Sequence, residues 1–199
     1  MRTVSDPRVA AVILAAGASS RMGRNKMLLD VEGAPMVRRA AIVARDAGLS
    51  PIVVVVGNDE SRVRAALDGI DCVFAVNPDF TGPTSGSLHA GLRALHDEVE
   101  ATVILLADMI RVTTPMLTAL VESNAGGDAP LAVSRYGDVL APPLLFRRAL
   151  WPALLAWHGE GCGKAVVKAH QHDAAMHDWP ELALRDVDTP DDYRELVPR

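Results

Sequence analysis

Residues 14–29 read Leu-Ala-Ala-Gly-Ala-Ser-Ser-Arg-Met-Gly-Arg-Asn-Lys-Met-Leu-Leu. Small residues come first, and the cations Arg21, Arg24 and Lys26 follow. No acid occurs between Arg8 and Leu29, although the whole chain carries a formal net charge of -5. Small side chains let backbone N–H groups come close to a phosphate. Each nearby cation offers about 4 kcal/mol of raw attraction to a unit charge at ~4 Å in an effective dielectric of ~20, before desolvation. Polyphosphate binding suits this composition. A solvated loop with scattered charges is the alternative that these residues leave open.

Acids in two other places suit a metal. Asp108 follows the apolar run 103–106. Mg²⁺ takes hard oxygen ligands, commonly one or two carboxylates together with substrate phosphates. Near the C-terminus the chain reads Asp186-Val187-Asp188-Thr189-Pro190. Period-2 spacing puts Asp186 and Asp188 on one side of an extended segment. Asp188 also suits a helix start before Thr189-Pro190.

Other motifs fit less well. No Gly-x-Gly-x-x-Gly follows the first apolar run, so a dinucleotide-dependent oxidoreductase is not indicated. Residues 159–164 (Gly-Glu-Gly-Cys-Gly-Lys) resemble a Walker A loop that is one residue short, with Ala165 in place of Ser or Thr. Gly161, Gly163 and Lys164 suit either an acceptor phosphate or a plain turn with an exposed lysine. His158, His170, His172, His177 and Cys162 match no closed zinc spacing and read as surface polar residues. Trp151 and Trp157 are expected to pack a helix.

Apolar runs alternating with helical stretches must position these groups, which predicts βαβ units and a mainly parallel sheet. Strands are expected at 9–14, 52–56, 72–76 and 102–106, with shorter ones at 131–134 and 140–145. One helix lies between Pro35, at a first-turn position, and Gly48, at a stop. Others are expected at 87–95, 115–122 and 190–196. Residues 124–128 read as an exposed turn. In open α/β sheets ligands bind beyond the carboxyl ends of the strands, where Gly17 and Asp108 would both fall.

The chain has 199 residues, 49% of them hydrophobic, which suits one globular domain over 1–199. The acidic balance argues against a nucleic-acid binder. Arg2 and Arg8 before the apolar residues 9–16 imitate a signal peptide, but Gly17, Arg21 and Arg24 break the pattern, so a strand is expected. Two cysteines and no membrane-length apolar run lead to the expectation of a cytoplasmic protein with no membrane partner.

The pattern Leu14-Ala15-Ala16-Gly17-x-Ser19-x-Arg21-Met22-Gly23-x-x-Lys26-x-Leu28-Leu29 resembles the signature loop of the molybdenum cofactor nucleotidyltransferases. Within them it is most similar to the cytidylyltransferases, because Ala15-Ala16-Gly17 matches the CTP-using branch. Asn77-Pro78-Asp79-Phe80 and the stretch from Ser87 to Gly91 are similar to two further family segments, and Leu105-Leu106-Ala107-Asp108-Met109 to its metal-binding strand end. Ile110 stands where the family usually has proline. The second half matches more thinly: Leu140-Ala141-Pro142 replaces a usual glycine.

The resemblance implies a single Rossmann-like three-layer α/β domain, akin to the nucleotide-diphospho-sugar transferases. It implies nucleotide binding by Leu14, Ala15, Ala16, Gly17, Ser19, Arg21, Gly23 and Lys26, joined by Gly82 and Ser87. Ser87 also suits a helix N-cap. Arg21, Lys26 and Asp108 would be catalytic, and Asp108 and Asp188 would hold Mg²⁺. The implied reaction transfers CMP from CTP to a phosphorylated acceptor of the molybdopterin type, with release of pyrophosphate. GTP as donor, a sugar or alcohol phosphate as acceptor, a nucleotide-sugar glycosyltransferase and a non-catalytic nucleotide-binding regulator are the alternatives.

Overall fold

The computed structural model describes residues 8–19, 22–161 and 163–196. Arg21 and Cys162 lie outside them, as do the residues that precede Arg8.

Seven strands form the main sheet: β1 (Val9–Leu14), β4 (Ile52–Val56), β5 (Val73–Val76), β6 (Ala101–Leu106), β7 (Leu131–Tyr136), β8 (Val139–Arg147) and β9 (Ala175–Trp179). A separate small hairpin pairs β2 (Asp30–Val31) with β3 (Ala34–Pro35). The order across the main sheet is β5-β4-β1-β6-β8-β7-β9. Every pairing is parallel except those of β8 with β6 and β7.

β1 lies centrally and is buried on both faces, so its six residues are apolar throughout. Alternate β1 residues serve two cores. Val9, Ala11 and Ile13 meet α1 (Met36–Asp46), α2 (Glu60–Ala66) and α4 (Thr114–Gly126) through Val37, Ala41, Val63, Leu117 and Leu120. Ala10, Val12 and Leu14 meet α3 (Thr84–Arg93), α5 (Trp151–Ala156) and α6 (Lys164–His170) through Leu88, Leu92, Trp151, Leu154 and Val166. The three-layer α/β architecture is the one expected.

α1 stops as its sequence dictates. Gly48 takes φ +76°, its N–H donates to Arg45 O at 2.9 Å, and Leu49 N–H reaches back to Ala44 O at 3.1 Å. This is a Schellman closure, which needs the left-handed residue that glycine supplies. Pro35 is the residue before the helix, with ψ 143°, not one within its first turn.

Other boundaries move. α3 begins at Thr84, so Ser87 lies inside its first turn and does not cap it. α4 continues to Gly126, and Asn124 is buried where an exposed turn was expected. Its Oδ1 accepts from Arg147 Nε at 2.9 Å, which ties the helix end to β8. Trp151 is buried beneath α5 as anticipated, with the Arg148 guanidinium over its ring at 4.7 Å. Among the described residues, no helix is long and apolar enough to cross a membrane.

Candidate active site

The carboxyl ends of β1 and β6 open into a cleft of about 480 Å³. Leu14, Ala16, Gly17, Ser19, Lys26, Gly82, Ser87, Asp108 and Asp188 all line it. Ala15 and Gly23, expected beside them, do not. Ala15 turns inward, 1% exposed, and its N–H donates to Val55 O at 3.0 Å. Gly23 stands on the outer surface with φ +65°, where it serves the turn of the loop.

The loop after β1 is braced from β4. Asn58 N–H donates to Ala16 O at 3.1 Å and its Nδ2 to Ala18 O at 3.2 Å. Asn25 in turn donates to Asn58 O at 3.1 Å, while its Oδ1 accepts from Met27 N–H at 2.9 Å. Ser19 Oγ accepts from Lys26 N–H at 3.1 Å. These bonds fix the short 3₁₀ turn Lys26–Leu28 and aim the lysine inward.

Lys26 Nζ stands 2.5 Å from Asp108 Oδ2 and 2.6 Å from Asp188 Oδ1. The lysine side chain is only 11% exposed. Burial alone would depress its ammonium. The charges and hydrogen bonds of Asp108 and Asp188 outweigh that and hold its pKa above the ordinary lysine value.

Asp108 sits just past β6, and its carbonyl oxygen accepts from Ile110 N–H at 3.0 Å and from Val187 N–H at 3.3 Å. A proline at 110 would have no N–H to give, so isoleucine closes this turn in its own way. Val187 is fully buried, and its neighbours Asp186 and Asp188 face the cleft, as period-2 spacing requires. Oxygens of Asp108, Asp186 and Asp188 lie within 4.8 Å of one another. Ligands around Mg²⁺, at ~2.1 Å each, stand up to about 4.2 Å apart, so an all-oxygen donor set of this span suits a hard divalent cation after slight closure. Asp186 keeps much of its surface open at the rim. Withdrawal of its carboxyl from water, joined by the charges of Asp108 and Asp188, pushes its pKa above the ordinary value.

The opposite end is built by residues 77–87. Gly57 ends β4 without a side chain, and Phe80 Cβ lies 2.5 Å from where a Cβ would be, so Phe80 reaches the cleft wall. Ser87 Oγ accepts from Asn77 Nδ2 at 2.9 Å. Residues 159–160 clasp α3: Glu160 Oε2 accepts from Thr84 N–H at 3.2 Å and from Thr84 Oγ1 at 2.5 Å, and Ser85 N–H donates to Gly159 O at 3.0 Å. Gly161 and Lys164 thereby join the cleft lining.

Sequence reasoning missed Met27, Phe80, Thr84, Met109, Leu184 and the apolar wall of Ala141 and Pro142. The wall arises at a register shift between Val133 and Ser134, where Tyr136 Oη donates to Pro142 O at 2.9 Å and Ser134 Oγ to Pro143 O at 2.7 Å. The aromatic at 80 was the available signal for its part; the rest depends on tertiary register.

Comparison with known proteins decides the family. The profile of the MobA-like NTP transferase domain matches residues 11–175. The chain belongs to this family. It is therefore a nucleotidyltransferase of the MobA-like type, with a seven-strand sheet of the nucleotide-diphospho-sugar transferase fold.

A probable molybdenum cofactor guanylyltransferase of Natronomonas pharaonis is 32% identical, covering 94% of this chain and 96% of that one. The purine catabolism protein PucB of Bacillus subtilis is 27% identical, covering 94% and 95%. The bifunctional protein GlmU of Geotalea uraniireducens is 35% identical over 63% of this chain, which spans 28% of that protein. The crystal structure of Rv0371c from Mycobacterium tuberculosis superposes with a TM-score of 0.84 at 29% identity, covering 98% of this chain and all of that one. A second structure of that protein is a complex with manganese.

Proposed function

We propose that this MobA-like protein transfers CMP from CTP to a phosphorylated small molecule of the molybdopterin type and releases pyrophosphate. The observation that carries this reading is the meeting of Lys26 with Asp108 and Asp188 beside the loop after β1. A cation and acids at one sheet edge suit a triphosphate held with a divalent metal.

The acceptor phosphate oxygen attacks the α-phosphorus, a new phosphoanhydride P–O bond forms, and the bond to the pyrophosphate oxygen breaks. A phosphate monoester is already a nucleophile, so no dedicated general base is needed. Lys26 has three N–H donors, of which Asp108 and Asp188 take two, and the third serves the departing phosphates. Arg21 is assigned as a second cation for them. The backbone of Leu14–Gly17 and the hydroxyl of Ser19 face the nucleotide, and Gly82 and Ser87 border its base. Asp108 and Asp188, with Asp186 beside them, would hold Mg²⁺, which when bound neutralises charge on the phosphate oxygens. The manganese complex of the related Mycobacterium tuberculosis protein supports a divalent cation here. Lys164 and Gly161, at the other side of the cleft, receive the acceptor.

The protein acts in the cytoplasm as one NTP-transferase domain over 1–199, without nucleic-acid or membrane partners. GTP as donor is the second reading, favoured by the guanylyltransferase relative. Purified protein with CTP or GTP, acceptor and Mg²⁺ should release pyrophosphate, and Asp108→Ala should abolish that release. Near-normal turnover in the variant would remove Asp108 from the chemistry.

A further inference from the structure

The hydroxyl of Ser87 has a direction, and Asn77 gives it. Asn77 is 5% exposed at the end of β5, held by donation of its N–H to Val56 O at 2.8 Å. Its Oδ1 accepts from Asp79 N–H at 3.1 Å. Only the oxygen of an amide can accept from a backbone N–H, so this bond fixes which way the side chain faces. The NH₂ group therefore points at Ser87 and donates to Oγ at 2.9 Å. A hydroxyl that accepts from Asn77 keeps its own proton for another partner, and Ser87 lines the cleft beside Phe80 and Gly82. Asp79's carboxylate lies 2.5 Å from where a Gly82 Cβ would stand, so a side chain at 82 would have to displace that carboxylate.

We infer that Asn77 is a positioning residue that keeps the Ser87 proton available to the nucleobase and so sets base preference. The inference rests on the nucleotidyl-transfer reading above, in which Gly82 and Ser87 border the base. Cytosine and adenine present a lone pair at the ring nitrogen of the Watson–Crick edge. Uracil and guanine present an N–H there. A hydroxyl whose proton is spared for the ligand favours the first pair. Of the pyrimidine and purine triphosphates, this contact selects CTP over UTP and ATP over GTP.

Asn77→Asp tests the polarity cleanly. The aspartate retains an oxygen for Asp79 N–H, so the turn is kept. It loses the NH₂ donor and instead draws the Ser87 proton to itself, which leaves only lone pairs facing the base. Binding of CTP, UTP, ATP and GTP with Mg²⁺ is measured by calorimetry for the wild type, Asn77→Asp, Ser87→Ala and the double variant. In Asn77→Asp the CTP:UTP affinity ratio should fall about tenfold, the worth of one well-placed hydrogen bond, and ATP:GTP should fall with it. On the Ser87→Ala background Asn77→Asp should move neither ratio further. Should Asn77→Asp not fold, Asn77→Ala, which leaves the hydroxyl uncommitted, should lower both ratios by a smaller factor. Equal weakening of all four nucleotides, unchanged ratios, or a wild type that prefers UTP or GTP overturns the inference. A wild type that binds none of the four defeats the nucleotidyl-transfer reading itself, and the two failures are thus told apart.

Discussion

The amide of Val187 donates to the carbonyl oxygen of Asp108 at 3.3 Å, and that bond sets the C-terminal acids against the end of β6. Val187 is fully buried with Met22, Leu29, Val31 and Met36, so the same residue anchors the segment from both its backbone and its side chain. Val187→Ala removes two buried methyl groups and should cost about 2 kcal/mol of stability, read by urea denaturation. Loosening this anchor should also weaken Mn²⁺ binding, read by electron paramagnetic resonance. Unchanged affinity would separate the anchor from the acids.

Lys26→Met leaves Asp108 and Asp188 facing each other without their shared cation. Full burial of such a broken pair costs ~3–5 kcal/mol, but the Asp188 side chain is 29% exposed, so about 1–3 kcal/mol is expected at neutral pH. Added Mg²⁺ should narrow the gap from wild type, because it supplies the missing charge. The folded pKa of Lys26 is raised, so its contribution is complete below the ordinary value of 10.5 and fades as pH rises through the folded value. Denaturation curves with and without Mg²⁺ measure both effects.

Tyr136 should make the fold sensitive to alkali. Burial pushes its phenol from 10.0 up to about 12, against a smaller opposing effect of Ser134. The unfolded chain loses this proton near pH 10 while the folded protein keeps it until near 12, so stability drops as pH climbs between them. The slope is ~1.4 kcal/mol per pH unit. Tyr136→Phe leaves Pro142 O without its donor and starts about 1–2 kcal/mol lower at neutral pH. Its stability should then lack this added slope above pH 10. Parallel curves for the two proteins would count against the tyrosine.

Gly91 in α3 is a contact glycine. A Cβ there would stand 2.3 Å from Val12 Cγ1 and 3.0 Å from Val55 Cγ2, both fully buried in the sheet. Gly91→Ala gains ~1 kcal/mol of helix propensity and loses more to overpacking. A net loss of about 1–2 kcal/mol is expected from thermal or urea unfolding, and a stabilised variant would show that α3 yields freely.

The residues that declared themselves in sequence were those whose role is local. β1 and β4 are buried on both faces and so are unbroken apolar runs. The turn of α1 at Gly48 and the alternation of Asp186, Val187 and Asp188 could be read from spacing. β9 was not legible, because an edge strand of Ala, Met, His, Asp and Trp, half exposed, carries no β-branched run. α2 buries only Val63 within its span and shows little periodicity. The pairing of Lys26 with Asp188 joins positions 162 apart, and only the sheet order brings them together. Ser87 suits a cap by its residue type, but α3 opens at Thr84 behind Pro83, without a side-chain cap from that residue, and its first amide finds its partner 76 positions away.

That start is closed from a distance. Most helices carry their own first-turn partner in the preceding few residues, and so can fray and re-form without consulting the rest of the chain. In α3 the amides of Thr84 and Ser85 are satisfied by Glu160 and Gly159. The start of α3 and residues 159–160 are therefore fastened to each other at one end of the cleft. Solvent exchange at those two amides becomes a built-in gauge of whether the glycine-rich segment is seated, legible without any label and before any substrate is added.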